Sequence, residues 1–264
     1  MTCRLKTAEG GVVAEQARET QVLDAVVSIV DRLLIDFDVV DLLTELTERC
    51  AKLLDVSAVG LLLGDPFGKL HLLAATSEQA RELELFQLQA QEGPCLECYA
   101  SGTAVSVADL RVAAARWPVF VPAALGAGFA SVHAVPMRAA GESMGALGLF
   151  GVRAGALTDS DLLIAQTLAH VACVAILQEQ APTSADVIPQ LRAVLTSRVV
   201  IEQAKGFVRE ILDVPVEDAF RVLRAYSRAR GEHLTDVARR LMTDRHGRPV
   251  LVASIIEFAA KPTR

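Results

Sequence analysis

The spacing of apolar residues changes character twice along this chain, and that limits the fold to two unlike parts. From about Glu15 to Asp36, Val22, Leu23, Val26, Val27, Val30, Leu33 and Leu34 recur at steps that fit an amphipathic helix. A second helix is expected from about Val39 to Leu54, with Leu42, Leu43, Leu46, Cys50 and Leu53 on one face. Then two short apolar runs, 56–63 and 70–76, flank GDPFGK, whose Gly, Asp and Pro mark the turn of a β-hairpin. A polar helix is expected at about 78–91, a short strand at 103–107 and a broken helix within 117–129. SVHAVPMR (131–138) and SMGALGLFG (143–151) read as a second hairpin, and Thr158 as the cap of a long helix to about Gln180. Residues 181–189, with Pro182 and Pro189, read as a linker. Beyond it only the helical period remains, at about 190–212, 215–230 and 233–244.

Hairpins interleaved with helices predict an α+β domain, a central antiparallel sheet flanked by helices, at 15–180. The rest predicts an all-α three-helix bundle at 190–245. Residues 1–14 are expected to be a flexible N-terminus and 246–264 a tail with an apolar stretch, PVLVASIIEF, that docks on the bundle or on a partner.

Charge follows the same division. Residues 190–264 hold 14 Lys+Arg against 9 Asp+Glu, a net of +5, and residues 1–189 hold 12 against 23, a net of −11. Such asymmetry suggests that the C-terminal part meets a polyanion. A solvated helix face is also often rich in Arg and Glu, so charge alone leaves both readings open. The five cysteines, at 3, 50, 95, 98 and 173, are odd in number and form no disulfide framework, which suggests a reducing compartment. The start of the chain lacks the apolar core of a signal peptide, and no uninterrupted apolar run reaches the length of a membrane span, so a cytoplasmic protein is expected.

No G-x-S-x-G elbow, Walker A loop, H-E-x-x-H or kinase motif occurs, and no enzyme is expected. GALGLFG (145–151) has its glycines in an apolar strand run that opens no helix, which argues against a dinucleotide site. Cys95-Leu-Glu-Cys98 follows Gly93-Pro94, a plausible helix start that would lower a thiol pKa, so both are candidate redox residues. The alternative is a pair of small buried hydrophobes. One C-x-x-C is too few ligands for zinc, and no metal or cofactor is expected. A haem would need an axial ligand such as His133, His71 or a Cys, but a lone strand histidine is far more often a packed residue.

In the bundle, Val194, Ser197, Ile201, Ala204, Val208 and Ile211 form a seam suited to pairing with another helix. Arg198, Glu202, Lys205 and Arg209 share another face. SR-x-x-IEQAKG (197–206), E-x-AF-x-x-LR (217–224) and LTDVARRL (234–241) together resemble the ANTAR domain, a three-helix RNA-binding module of bacterial antitermination regulators. The resemblance implies binding to RNA hairpins, with Arg198, Lys205, Arg224, Ser227, Arg228 and Arg239 on the RNA face. Arg209 extends that face, and Tyr226 would stack on a base or else pack in the core. QEGPCLECYASGTAVSVADL (91–110), FVPAALGAGFASVHAVPM (120–137) and SMGALGLFG (143–151) resemble a GAF domain, which implies a pocket for an unidentified small molecule. The cyclic-nucleotide signature and the Cys-His pair of tetrapyrrole-binding members are both missing. The implied protein is a homodimer, paired through the helices at 15–36 and 158–180, that senses a signal and binds RNA. Two further readings stand beside it: a DNA-binding regulator with 233–244 in the major groove, and a redox- or ligand-sensing interaction module.

Overall fold

The computed structural model describes residues 20–34, 37–139, 141–178 and 187–260. The expected N-terminal segment 1–14 and most of the linker lie outside them. Helix α1 covers 20–33 and is followed by α2 (Val39–Leu53), strands β1 (Ala58–Gly64) and β2 (Leu70–Ala75), α3 (Glu78–Ala90) and α4 (Pro94–Ser101). Then come β3 (Val105–Val107), a 3-10 turn at Leu110–Ala113, α5 (Phe120–Gly126), β4 (Ser131–Ala139), β5 (Glu142–Gly151) and α6 (Asp159–Gln178). The C-terminal part is α7 (Val187–Leu212), α8 (Val216–Arg230), α9 (Leu234–Thr243) and α10 (Arg248–Ala259).

The five strands form one sheet in the order β2-β1-β5-β4-β3, with every neighbouring pair antiparallel. Both expected hairpins form. The first turns where Asp65 accepts hydrogen bonds from the amides of Phe67 and Lys69 and Gly68 takes φ 79°. Strand residues alternate between two cores, as the pleat requires. Val59, Leu61 and Leu63 of β1 and Leu147 and Leu149 of β5 face α2 and α6, whereas Leu62, Ala146 and Phe150 face α3, α4 and α5. A sheet covered on both sides explains why these strands read as nearly continuous apolar runs.

By length and composition α6 is apolar enough to cross a membrane, although the sequence shows no uninterrupted run of that kind. Here its Ala165, Leu168, Ala169, Ala172 and Ile176 are buried in the core beside α2. Helix α7 starts at Val187, so Pro189 falls in its first turn, where a missing N–H breaks no helical bond. The linker expected over 181–189 is therefore shorter at its C-terminal end. The seam of α7 is buried from Val194 to Val208 against α8 and α9. The tail is not loose: α10 lies on α8 and α9 and buries Leu251 and Ile255.

Candidate nucleic-acid interface

Of the basic residues singled out on α7 and α8, Arg198, Lys205, Arg224 and Arg228 face the sheet domain. On α8, Arg224 and Arg228 sit one turn apart and meet the acidic side of α2, whose Asp41, Glu45 and Glu48 recur at helical spacing. Arg224 Nε pairs with Asp41 Oδ1, its Nη1 lies 2.7 Å from Glu48 Oε1, and its Nη2 donates to the Asp41 carbonyl at 3.3 Å. Arg228 Nη2 lies 3.0 Å from Asp41 Oδ2 and 2.7 Å from Glu45 Oε2. Burial raises the pKa of the Asp41 carboxyl, but Arg224, Arg228 and Arg32 outweigh it and hold the group below the usual carboxylate range. Burial likewise opposes charge on Arg224, and Asp41 and Glu48 more than restore it.

Asp38 ties the same helix to the bundle in a second way. Its Oδ1 caps α2 by accepting from the Asp41 amide at 3.0 Å, and its Oδ2 accepts from the Thr235 amide at the start of α9 at 2.7 Å. One carboxylate thus satisfies buried amides at two helix N-termini, where negative charge is favoured.

Arg198 and Lys205 of α7 line the other half of the contact. Lys205 Nζ lies 2.8 Å from Glu202 Oε2, Arg198 pairs with the same carboxylate, and Arg81 of α3 reaches it at 3.2 Å. Three cations therefore share Glu202. Burial lowers the pKa of Lys205; Glu202 opposes this, while Arg198 and Arg81 add to the lowering. A cleft of about 260 Å³ opens here between the two parts, lined by Thr44, Ser77, Arg81, Arg198, Lys205 and Arg221.

The remaining expected residues are placed differently. Arg209 is exposed, and Arg239 is exposed and paired with Asp236 at 2.7 Å. Ser227 is buried and donates to the Leu223 carbonyl, so it lies beneath the basic face and not on it. Tyr226 is buried too: its hydroxyl donates to Ser254 at 3.1 Å and its ring meets Phe258 edge-on at 5.6 Å. The tail helix covers the ring, which favours core packing over base stacking, the two readings the sequence offered.

For the cysteines, too, packing supports the reading as buried hydrophobes. Cys95 lies in the first turn of α4, as expected, and Cys98 in the middle of the helix, and both are fully buried. Burial pushes the Cys95 thiol well above its ordinary value, helped by the neighbouring Glu84, and pushes Cys98 up to about 12. Burial thus works against the thiolate at both positions. His133 is buried with Nε2 3.3 Å from the Gly155 carbonyl, and His71 pairs with Asp65 at 2.9 Å. Among the described residues no group of three or more His, Cys, Asp or Glu is arranged to hold a metal ion.

Sequence reasoning did not single out the acidic side of α2. Its signal was present in the i, i+4, i+7 spacing of Asp41, Glu45 and Glu48, but such a row reads equally as a solvated face. A separate cleft of about 860 Å³ lies beside α4, lined among others by Phe67, Lys69, Leu96, Tyr99, Arg116 and Trp117.

A GAF domain model matches residues 38–177, more than half of the chain, and an ANTAR domain model matches residues 189–242. The chain belongs to the GAF family and carries an ANTAR domain after it. ANTAR domains are RNA-binding antiterminator modules, and GAF domains are sensory or dimerisation modules. Among solved structures, the GAF domain of a phosphoenolpyruvate-protein phosphotransferase from Acinetobacter is similar, with 18% identity and a TM-score of 0.50. The match covers 62% of this chain and 97% of that one. The corresponding GAF domain from Coxiella burnetii has 17% identity and a TM-score of 0.48, over 60% and 94% of the two chains. No curated protein sequence matches this GAF–ANTAR chain.

Proposed function

We propose that this GAF–ANTAR protein is a cytoplasmic regulator whose ANTAR bundle binds RNA hairpins and promotes transcription antitermination. The observation that carries the reading is the ordered ANTAR match, together with the convergence of Arg198, Lys205, Arg224 and Arg228 on one side of the bundle. A planar guanidinium suits both phosphate and unstacked loop bases.

In this reading the GAF domain senses a small molecule and pairs two copies. The cleft beside α4 supports a ligand with a flat apolar part and polar groups, since aromatic rings share its lining with Lys69, Arg116, Glu92 and Glu97. Pairing is supported by α1, on which Leu23, Val27 and Val30 are exposed at steps of four and three, with Leu34 following at the next step. Competition between a hairpin RNA and duplex DNA of the same sequence, at one salt concentration, tests the function. Preference for the RNA is expected, and preference for the duplex rejects the reading.

A further inference from the structure

We infer that the acidic face of α2 is a built-in competitor for RNA: Asp41, Glu45 and Glu48 occupy the arginines that would hold RNA, so the docked arrangement is the silent state. The inference rests on the RNA-binding reading and adds its regulation.

Three features support it. First, the contact falls on the residues the ANTAR pattern assigns to RNA. All three guanidinium nitrogens of Arg224 are engaged by α2, and its side chain is only 11% exposed. Carboxylates and phosphates present the same paired oxygens to an arginine fork, so the two anions exclude each other there. A bundle bound in this way has no free Arg224 to offer a phosphate.

Second, Asp41 and Glu45 do not depend on the bundle for a cation. Arg32 of α1 lies 2.9 Å from Asp41 and also pairs with Glu45, and Arg49 lies 2.8 Å from Glu45. When the bundle departs, Asp41 and Glu45 keep a cation from their own domain. Release therefore leaves no buried carboxylate unpaired, the condition that makes breaking a buried ion pair so costly. On the bundle side, RNA phosphates replace the carboxylates. The exchange is one anion for another.

Third, the docking has a directional part. The Thr235 amide points at Asp38, and Arg81 of α3 shares Glu202 with Arg198 and Lys205. These contacts fix one orientation of the bundle. The apolar core also runs continuously from α2 and α6 into α7, α8 and α9, which favours the docked form. A signal opens the protein only through unequal affinity for the docked and released forms. A GAF ligand, or the RNA itself, supplies that difference.

The test uses the full chain and a labelled pool of RNA hairpins with randomised loops, at one fixed salt concentration. Two variants weaken the docking without touching the RNA face. Glu45→Gln with Glu48→Gln removes two charges of the competitor. Asp38→Asn keeps the Oδ1 cap of α2 but turns an amide donor toward the Thr235 amide. Each should bind the pool about tenfold or more tighter than the parent, because apparent affinity scales with the fraction of competent protein. Adding Arg224→Ala and Arg228→Ala to the first variant should abolish the gain. Hairpin binding of equal strength in the parent and both variants overturns the competition and leaves RNA binding standing. If no protein binds the pool although α8 and α9 amides exchange faster in the variants, the RNA reading itself fails, and the competition with it.

Discussion

Gly60 and Gly148 lie directly opposite one another on β1 and β5. The gap that two missing side chains leave on the sheet is filled by the carboxyl group of Glu84, which reaches down from α3. A Cβ on Gly60 would collide with Glu84, and one on Gly148 would lie 2.6 Å from Glu84 Oε1 and 2.8 Å from Cys95 Sγ. Gln87 donates to Glu84, the Cys95 thiol donates to it at 3.6 Å, and the Cys95 amide donates to Gln87 at 3.2 Å. Glu84 is thus a fully buried acid with no ion pair to a base among the described residues. Gly148→Ala should destabilise the protein by about 1–3 kcal/mol, as overpacking of a rigid site does. Urea unfolding of the single variant and of Gly148→Ala with Glu84→Ala measures this. The second change should recover part of the loss if Glu84 is the obstacle.

The same acid makes stability depend on pH. Burial raises the Glu84 pKa from 4.5 to about 8, against the opposing hydrogen bonds from Cys95 and Gln87. A raised folded pKa gives a contribution fully present below the unfolded value and lost as pH rises through the folded value. The loss should therefore run from about pH 4.5 to about pH 8, at up to about 1.4 kcal/mol per pH unit. Glu84→Gln cannot ionise and should flatten this slope. Its stability relative to the parent should rise between pH 5 and pH 8 in denaturant titrations. Parallel curves for the two proteins would show that Glu84 is not the titrating group.

Much of this architecture was legible in the sequence because it rests on local patterns. The period of Val39–Leu53, the turn residues Asp65 and Gly68, and Pro94 at the start of α4 specify their elements directly. What was not legible depends on pairs distant in the chain. Gly148 looked like part of a glycine-rich strand, and only its register with Gly60 shows that it makes room for Glu84. Cys95 and Cys98 fit an activated pair until the sheet above them removes water. Arg224 fitted an RNA contact, but nothing near it announced Asp41, 183 positions earlier. Tyr226 was ambiguous for the same reason: its neighbour Ser254 lies on a helix that the sequence left without a docking site.

Tyr226 separates core packing from base stacking by experiment. Tyr226→Phe keeps the ring against Phe258 and loses the hydroxyl bond to Ser254. It should cost about 0.5–1.5 kcal/mol in thermal or denaturant unfolding, with hairpin affinity unchanged. Tyr226→Ala should cost about 3–5 kcal/mol by analogy with other large aromatic truncations. A variant of unchanged stability and much weaker RNA binding would instead place the ring at the RNA.

The exposed stripe of α1 predicts the assembly state. Val27 is 56% exposed and Leu23 is 65% exposed, on the side of α1 away from its buried Ala25 and Ile29. A second copy seated on this stripe would cover them. Sedimentation should report a dimer for the parent, and Leu23→Glu with Val27→Glu should shift it to monomer with little change in unfolding, since both side chains face outward. A monomeric parent would remove the pairing role from the GAF domain.

The buried thiols predict chemical behaviour opposite to that of a redox pair. Cys50, Cys95, Cys98 and Cys173 are all buried, and burial pushes Cys50 and Cys173, like Cys98, up to about 12. The reactive species is the thiolate, which is scarce at neutral pH for such groups. In a Cys3→Ala variant, alkylation at pH 7.5 should therefore proceed no faster than the opening that exposes the core, and it should accelerate sharply in denaturant. Tenfold-slower labelling on stabilising the protein, with each cysteine responding alike, would tie the rate to opening. Rapid labelling confined to Cys95 or Cys98 in the folded protein would return these two residues to candidacy as sensors, and would require that α4 lift from the sheet near Gly148 without global unfolding.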